Sequence, residues 1–342
     1  MDQEIISELK KRVIEAGFDA IIALSPENVT YVSGFVVPSQ SLMESIWMSD
    51  HLCFRDSLTT SMALLASTKR IKVAPAPMSP YSRHPIISAM SIATMAEFAP
   101  GRVIASPGTG NAAALKEAGI ESPRPLKTMR EYVEILRRFL TGETVNFQGE
   151  MFQVNGAKMG FVPSAPIKMY LTAVRPRMLQ LGGEIGDGVL LSAGCAPGYI
   201  AQCLTEIKQG TEKAGKSLAD RDVAGFVTAS VSENPREALE ANKMFLAYIF
   251  RNTHHAENIR LGGGKVDQEA LAAAVGKRDW EAAKQFISDE VVRAHSIAGT
   301  AGECRSQLES FIKGGLNLPV LLPMGTQEAR KKVIRMVKEL GG

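Results

Sequence analysis

Cysteine is scarce in this chain: four in 342 residues, Cys53, Cys195, Cys203 and Cys304, with no CxxC pair. A disulfide-stapled secreted scaffold is excluded by that count and spacing, and reduced thiols in a cytoplasm are the simplest reading. Long hydrophobic runs are missing too. No window reaches the ~18 uninterrupted apolar residues a spanning helix needs, and the opening MDQEIISELKKRVIEAGF alternates charge with apolar residues instead of forming a signal core. Charge of one sign is nowhere concentrated. The net charge is +3, with lysine and arginine interspersed among acids, so neither a nucleic-acid nor a membrane patch is implied. A mild positive balance is compatible with an anionic cofactor without arguing for one. Among the five histidines, His254–His255 and His295 lack metal-ligand spacing with nearby acids and read as surface residues; no metal site is expected. The run Gly262–Gly264 has no strand before it and reads as a loop, not a nucleotide cradle.

What remains is ordinary globular material, 45% hydrophobic and 22% charged, long enough for one large barrel or two common domains. Its organising stretch is IKVAPAPMSPYSRHPIISAMSIATMAEFAPGRVIASPGTGN, Ile71 to Asn111. The order is strand, proline-rich loop, apolar helix, then a strand running into a glycine loop, which is two consecutive βα units of a parallel α/β protein. Prolines at 75, 77 and 80 stiffen the first strand's C-terminal end and stop its pairing. Pro85 suits the first turn of the helix that follows His84. Gly108 and Gly110, around Thr109, let backbone N–H groups approach an anion closely. A tight βα turn that simply needs glycine explains the same residues equally well.

The same rhythm continues downstream. Arg55–Arg70 reads as a helix with Asp56 as N-cap, Asn111–Ser122 as a small helix and loop, and RPLKTMREYVEILRRFLTG as an amphipathic helix closed by Gly142. ETVNFQGEMFQVNGAKMGF turns at Gln148–Gly149 and Asn155–Gly156, so a β-hairpin excursion is expected there. IKMYLTAV is a strand, with Arg175–Pro176–Arg177 opening the next helix; arginine beside a helix start suits a phosphate, and an ordinary surface arginine fits as well. DGVLLSAG is the next strand, leaving Ser192 near its C-terminal end, or else as a plain loop serine. Residues 254–300 read as a helical insertion that covers the substrate or builds a subunit contact. Strands at Ala20, Ile46, Ile71, Val103, Lys168, Val189, Val223 and Pro319 make the eight of a (βα)8 barrel.

SIWMSDHL, the IKVAPAPMSPYSRHP segment, GRVIASPGTGN and IKMYLTAVRPRMLQLGGEIGDGVLL together resemble the bacterial luciferase-like family. Within it they are most similar to the deazaflavin (coenzyme F420)-dependent branch that contains methylenetetrahydromethanopterin reductase. The resemblance implies an α/β fold, a (βα)8 TIM barrel of the luciferase-like type with an atypical first βα unit. It places Asp50 and His51, the family's SDH pair, beside the deazaflavin ring, where a lone histidine would otherwise read as a packed loop residue. A bulge with a cis peptide is implied at Ala76–Pro77, next to Met78, supporting the ring from behind. The loop Gly108–Thr109–Gly110–Asn111 would help hold the anionic tail. Ala173–Val174–Arg175 departs from the family's usual glycines, so direct pairing by Arg175 stands in for close backbone approach. Ser192 completes the expected cofactor contacts.

The opening resembles a different family. SPENVTYVSGF and the helix and strand before it, about the first 37 residues, are similar to the amino-terminal segment of creatinase and prolidase-type peptidases. Their metal-binding catalytic domain has no counterpart, so peptidase chemistry is excluded. Residues 1–42 are therefore expected to form an atypical segment in which Asp19–Ser25 supplies the first barrel strand and Glu27–Phe35 a shortened first helix. Residues 43–342 form the barrel, with insertions at about 143–164 and 253–300. The expected chemistry is hydride transfer between coenzyme F420 and a small electrophilic molecule, a methylenetetrahydromethanopterin-type pterin. The alternatives are an FMN-dependent monooxygenase of the same fold and a degenerate, non-catalytic barrel. Partners are limited to a small-molecule substrate and further copies of the chain as a homodimer or higher homo-oligomer.

Overall fold

The computed structural model describes residues 34–36 and 45–340; the expectations for the helix over Gln3–Ala16 and the strand over Asp19–Ser25 lie outside them. Eleven strands are described: β1 (Gly34–Val36), β2 (Ser45–Ser49), β3 (Lys72–Ala76), β4 (Ile104–Ala105), β5 (Val145–Gln148), β6 (Gln153–Ala157), β7 (Lys168–Ala173), β8 (Gly188–Leu191), β9 (Asp222–Val231), β10 (Ile297–Gly299) and β11 (Leu318–Pro323). They fall into two compact units, one spanning 45–172 and the other 34–36 with 173–340.

In the first unit β2 runs parallel to β3, Ile46 opposite Val73 and Ser49 opposite Ala76. β3 meets the approach to β4 at Val73 and Val103, and β4 runs parallel to β7. Helices Ser57–Ser67, Pro85–Phe98 and Pro125–Leu140 return the chain between these strands. Their starts follow local chemistry. The Asp56 carboxylate accepts the Thr59 N–H at 2.7 Å, and Pro85 occupies the first turn behind a His84 cap, as the sequence leads one to expect. Trp47 is fully buried, edge-on to Tyr170 at 5.3 Å, with its indole N–H donated to Ser45 Oγ at 3.0 Å. An aromatic this large tolerates burial because its one donor is satisfied. Tyr132, also fully buried, donates to Ser88 Oγ at 2.6 Å and ties helix Pro125–Leu140 to helix Pro85–Phe98. At the N-terminal end of β3, Arg102 donates to the carbonyls of Ile71 (3.0 Å), Leu65 (3.3 Å) and Thr68 (2.9 Å), closing the end of helix Ser57–Ser67.

The hairpin β5–β6 forms as expected. Asn155–Gly156, read as a turn, instead lies inside β6. Gly156 has φ +69° and is the extra residue where the register shifts between Val145 and Asn146, a bulge that bends the strand. The true turn is held from below. The buried Glu131 carboxylate accepts the N–H groups of Glu150 (3.1 Å), Met151 (2.9 Å) and Phe152 (3.1 Å), so its charge is matched by three donors.

In the second unit β8 and β11 flank β9 in parallel. β1 pairs antiparallel with β11, Phe35 opposite Leu321. This corrects the helix expected to run through Phe35: from Gly34 the chain is a strand, in keeping with the aromatic and β-branched Phe35 and Val36. Helices Pro176–Ile185, Pro197–Lys213 and Pro235–Phe250 each begin with proline at the first helical position. Residues 254–300 do fold as short helices, Ala256–Leu261, Gln268–Gly276, Trp280–Gln285 and Asp289–His295, around Leu271, Ala283, Val291 and Val292 packed on Leu246 and Phe250. Two expectations for this segment fail. It contains β10, parallel to β9 with Ile297 opposite Ala229, whose outer edge is satisfied by Gln307 pairing with both the N–H (2.8 Å) and the C=O (3.1 Å) of Ala298. And His255 and His295 are not surface residues but 1% and 0% exposed. Helices Ala301–Lys313 and Gln327–Leu340 complete the chain.

Candidate active site

The first unit carries a cavity of about 270 Å³ at the C-terminal ends of β2 and β3. That is the end of parallel strands at which α/β barrels build their chemistry. Asp50 and His51 follow β2 directly, and the Asp50 N–H donates to Ala76 O at 3.1 Å, so the pair is fixed to the end of the neighbouring strand. The Ala76–Pro77 peptide bond is cis, as the resemblance implied. Beyond it, Met78 donates to Ser106 O at 2.8 Å and its own carbonyl accepts Gly108 N–H at 3.0 Å.

Ala76, Met78 and Gly108 are buried and spend their polar groups on neighbouring strands; they are not among the residues that line the cavity. Gly108 could not be any other residue without movement: an added Cβ would stand 2.6 Å from Pro77 Cβ and 2.8 Å from Thr172 Cβ. Thr109 accepts from Ser79 Oγ through its carbonyl at 3.2 Å. Gly110, with φ +77°, turns the chain so that Asn111 both lines the cavity and caps helix Ala112–Glu117 by accepting from Ala113 N at 3.0 Å and Ala114 N at 3.3 Å. Asp50, His51, Gly110 and Asn111 are thus brought together on one wall.

Arg83 supplies the cavity's fixed positive charge. Its Nε lies 3.6 Å from Asp50 Oδ2 and its terminal nitrogen pairs with Asp56 Oδ2. Burial works against both Arg83 and Asp56 being charged. The hydrogen bonds from Thr59 and Arg83 outweigh this at Asp56, whose carboxyl is held below its ordinary value. At Arg83 the two carboxylates win, and its guanidinium is held above its ordinary value. Arg83 and Ser79 are the site residues that sequence reasoning missed. The signal available was positional: Ser79 and Arg83 sit in the short run between Pro77 and Pro85, directly beyond a strand end.

Ala173, Val174, Arg175 and Ser192 lie in the second unit. Ala173 ends β7 and is buried; Val174 has its carbonyl taken by the Tyr199 hydroxyl at 2.7 Å; exposed Arg175 precedes helix Pro176–Ile185 without capping it through its side chain. Ser192, half-buried, follows β8. Among the described residues no group of three or more His, Cys, Asp or Glu side chains is arranged to hold a metal ion, all four cysteines are unpaired, and no helix is long and apolar enough to cross a membrane.

Parallel strands with a polar, charge-bearing cavity at their C-terminal ends fit many families. Sequence comparison decides among them, because residues 43–318 match the model of the luciferase-like monooxygenases. The chain belongs to this family. It is an oxidoreductase of the luciferase-like group. It is 33% identical over 296 residues to 5,10-methylenetetrahydromethanopterin reductase of Archaeoglobus fulgidus, covering 85% of this chain and 88% of that protein. It is also 31% identical over 303 residues to F420-dependent glucose-6-phosphate dehydrogenase of Gordonia bronchialis, covering 84% and 85%. The crystal structure of the coenzyme F420-dependent tetrahydromethanopterin reductase from Methanopyrus kandleri superposes with a TM-score of 0.76 at 27% identity, over 86% of this chain and 89% of that one. The fold of this luciferase-like chain is therefore the TIM-barrel type of that group.

Proposed function

We propose that this chain is an F420-dependent reductase that transfers a hydride between reduced coenzyme F420 and the one-carbon unit of a methylenetetrahydromethanopterin-type pterin. The observation that carries the reading is the wall formed by Asp50, His51, Arg83 and Asn111 around one cavity at the strand ends. At about 270 Å³ it falls just below the range of small-molecule sites, roughly 300–1,000 Å³, which suits the ring portion of a cofactor and not its whole length. Its donor set fits a deazaflavin, whose pyrimidine edge alternates N–H and C=O groups: Asp50 accepts, Arg83 has a buried Nε–H that makes no hydrogen bond among the described residues, Asn111 keeps its amide NH2 as donor while its oxygen caps the helix, and a neutral His51 ring carries one N–H donor. F420 supplies the hydride from C5 of its ring, so the protein is left with binding, orientation and exclusion of water.

Asp50 is the acceptor that fixes the ring edge, oriented by Arg83 and by its own backbone bond to Ala76. His51, the side chain whose ordinary pKa lies nearest neutrality, donates a hydrogen bond to polarise the ring system. The buried floor of Ala76, Pro77, Met78 and Gly108 closes the rear of the cavity against water. Gly110 and Asn111 with Thr109 hold the anionic portion. Ala173, Val174, Arg175 and Ser192 of the second unit are carried as further cofactor contacts on the family resemblance alone. We read the chain as a cytoplasmic homo-oligomer, with exposed Ile87, Met90 and Phe98 on helix Pro85–Phe98 supplying apolar surface for a second copy. The test is an anaerobic titration with reduced F420 and, separately, reduced FMN, followed by absorbance and fluorescence. Saturable binding of F420 alone is the expected result; binding of FMN alone, or of neither, overturns the proposal.

A further inference from the structure

The helical segment 254–300 places three polar contacts on a single loop, the one that leads from β8 into helix Pro197–Lys213. Gly194 O accepts two of them, from Asn258 Nδ2 at 2.7 Å and from His295 Nδ1 at 2.8 Å. The third returns: Ala196 N–H donates to Asn258 Oδ1 at 2.9 Å. Asn258 therefore satisfies both the carbonyl and the amide of this turn, as a neighbouring strand would. Both side chains are fully buried.

A carbonyl only accepts, so His295 carries its proton on Nδ1. Its Nε2 is then an acceptor with no hydrogen-bond partner among the described residues, pressed against Gly262, where an added Cβ would stand 2.4 Å from that nitrogen. A buried imidazole accepts such an arrangement only if neutral, and burial does push its pKa down to about 4. Gly194 has φ +79°, a conformation glycine adopts without strain, and Phe250 fills the space behind it, 3.1 Å from where a Cβ would lie. Phe250 in turn packs edge-on against His295 at 4.8 Å. The whole cluster is a brace applied from the insertion to a strand-end loop.

We propose that Asn258 and His295 are positioning residues whose role is to fix the Ser192–Ala196 loop that follows β8. This rests on the F420-dependent reading above, since Ser192 is taken there as a cofactor contact. The insertion then acts as a buttress for the loop.

The test compares the full chain carrying Asn258→Ala, His295→Phe or His295→Asn, the last of which keeps a donor at the position of Nδ1. Amide hydrogen exchange is read at residues 193–199, and steady-state kinetics with reduced F420 give KM and kcat separately. For Asn258→Ala and His295→Phe, loop exchange should quicken on the order of tenfold while helix Pro235–Phe250 keeps its protection. The KM for F420 should rise about tenfold with kcat little changed. His295→Asn should return both readouts toward wild type. Unchanged loop exchange, or exchange rising equally throughout the second unit with no recovery in His295→Asn, overturns the proposal. If Asn258→Ala does not fold, the two His295 variants decide the matter alone. If the wild-type chain fails to use F420, the functional reading falls, and the exchange comparison still decides whether the brace exists.

Discussion

Arg83 Nε stands 3.6 Å from Asp50 Oδ2 while its terminal nitrogen pairs with Asp56, so one guanidinium joins a strand-end carboxylate to the cap of helix Ser57–Ser67. The planar fork serves two carboxylates at once, which an ammonium cannot do with the same geometry. Arg83→Lys is therefore expected to lower kcat/KM by about tenfold and Arg83→Ala by about a hundredfold. The stability cost should be small, within about 1 kcal/mol, because both partners remain partly exposed. Steady-state kinetics beside a urea titration check the separation; a variant losing stability and activity in proportion would contradict it.

Gly108→Ala tests the floor. The new methyl must displace Pro77 or Thr172, which lie 2.6 Å and 2.8 Å from its position, and overpacking of this kind costs about 1–3 kcal/mol. A lowered urea midpoint together with weaker cofactor binding is the expected pair of results. A fully stable variant would show that the floor gives way easily.

Acid should loosen the second unit. Burial pushes His255 down to about 3 and His295 down to about 4, from an ordinary value of 6.5. Above pH 6.5 both rings are neutral in the folded and unfolded chain, and stability is complete. Below it the unfolded chain takes up protons that the folded one refuses, so stability falls from pH 6.5 toward pH 4 and continues down to about 3. For His295 alone the loss is roughly 3 kcal/mol. Urea titrations between pH 7 and pH 4.5 should show a falling midpoint, and His295→Asn should flatten the slope. An unchanged slope in that variant would contradict the assignment.

Legibility in the sequence followed the distance over which each feature is decided. Asp56 as cap, Pro85 at a helix start and the Glu131-bearing amphipathic helix rest on neighbours a few residues away, and they were readable. β10 is three residues long and exists because β9 lies beside it; nothing in SIAG itself marks a strand. Asn155–Gly156 has turn chemistry, yet the pairing of β5 with β6 turns its glycine into a bulge. His255 and His295 gave no local sign of burial, since the cover comes from Phe250 and the Gly194 loop. In the site, Asp50 and His51, which line the cavity, were singled out through the resemblance to the family's SDH pair, since a lone histidine at a strand end reads as a packed loop residue. Arg83 was not, because its meaning depends on Asp56, 27 residues earlier in the chain.

The central claim is hydride transfer at the cavity that His51 lines, and anaerobic mixing of the chain with reduced F420 and methylenetetrahydromethanopterin tests it most directly. The account predicts reoxidation of F420, followed by its absorbance, that requires the pterin and is slowed on the order of a hundredfold in His51→Ala. No reoxidation with the pterin, or equal rates in wild type and His51→Ala, would contradict it.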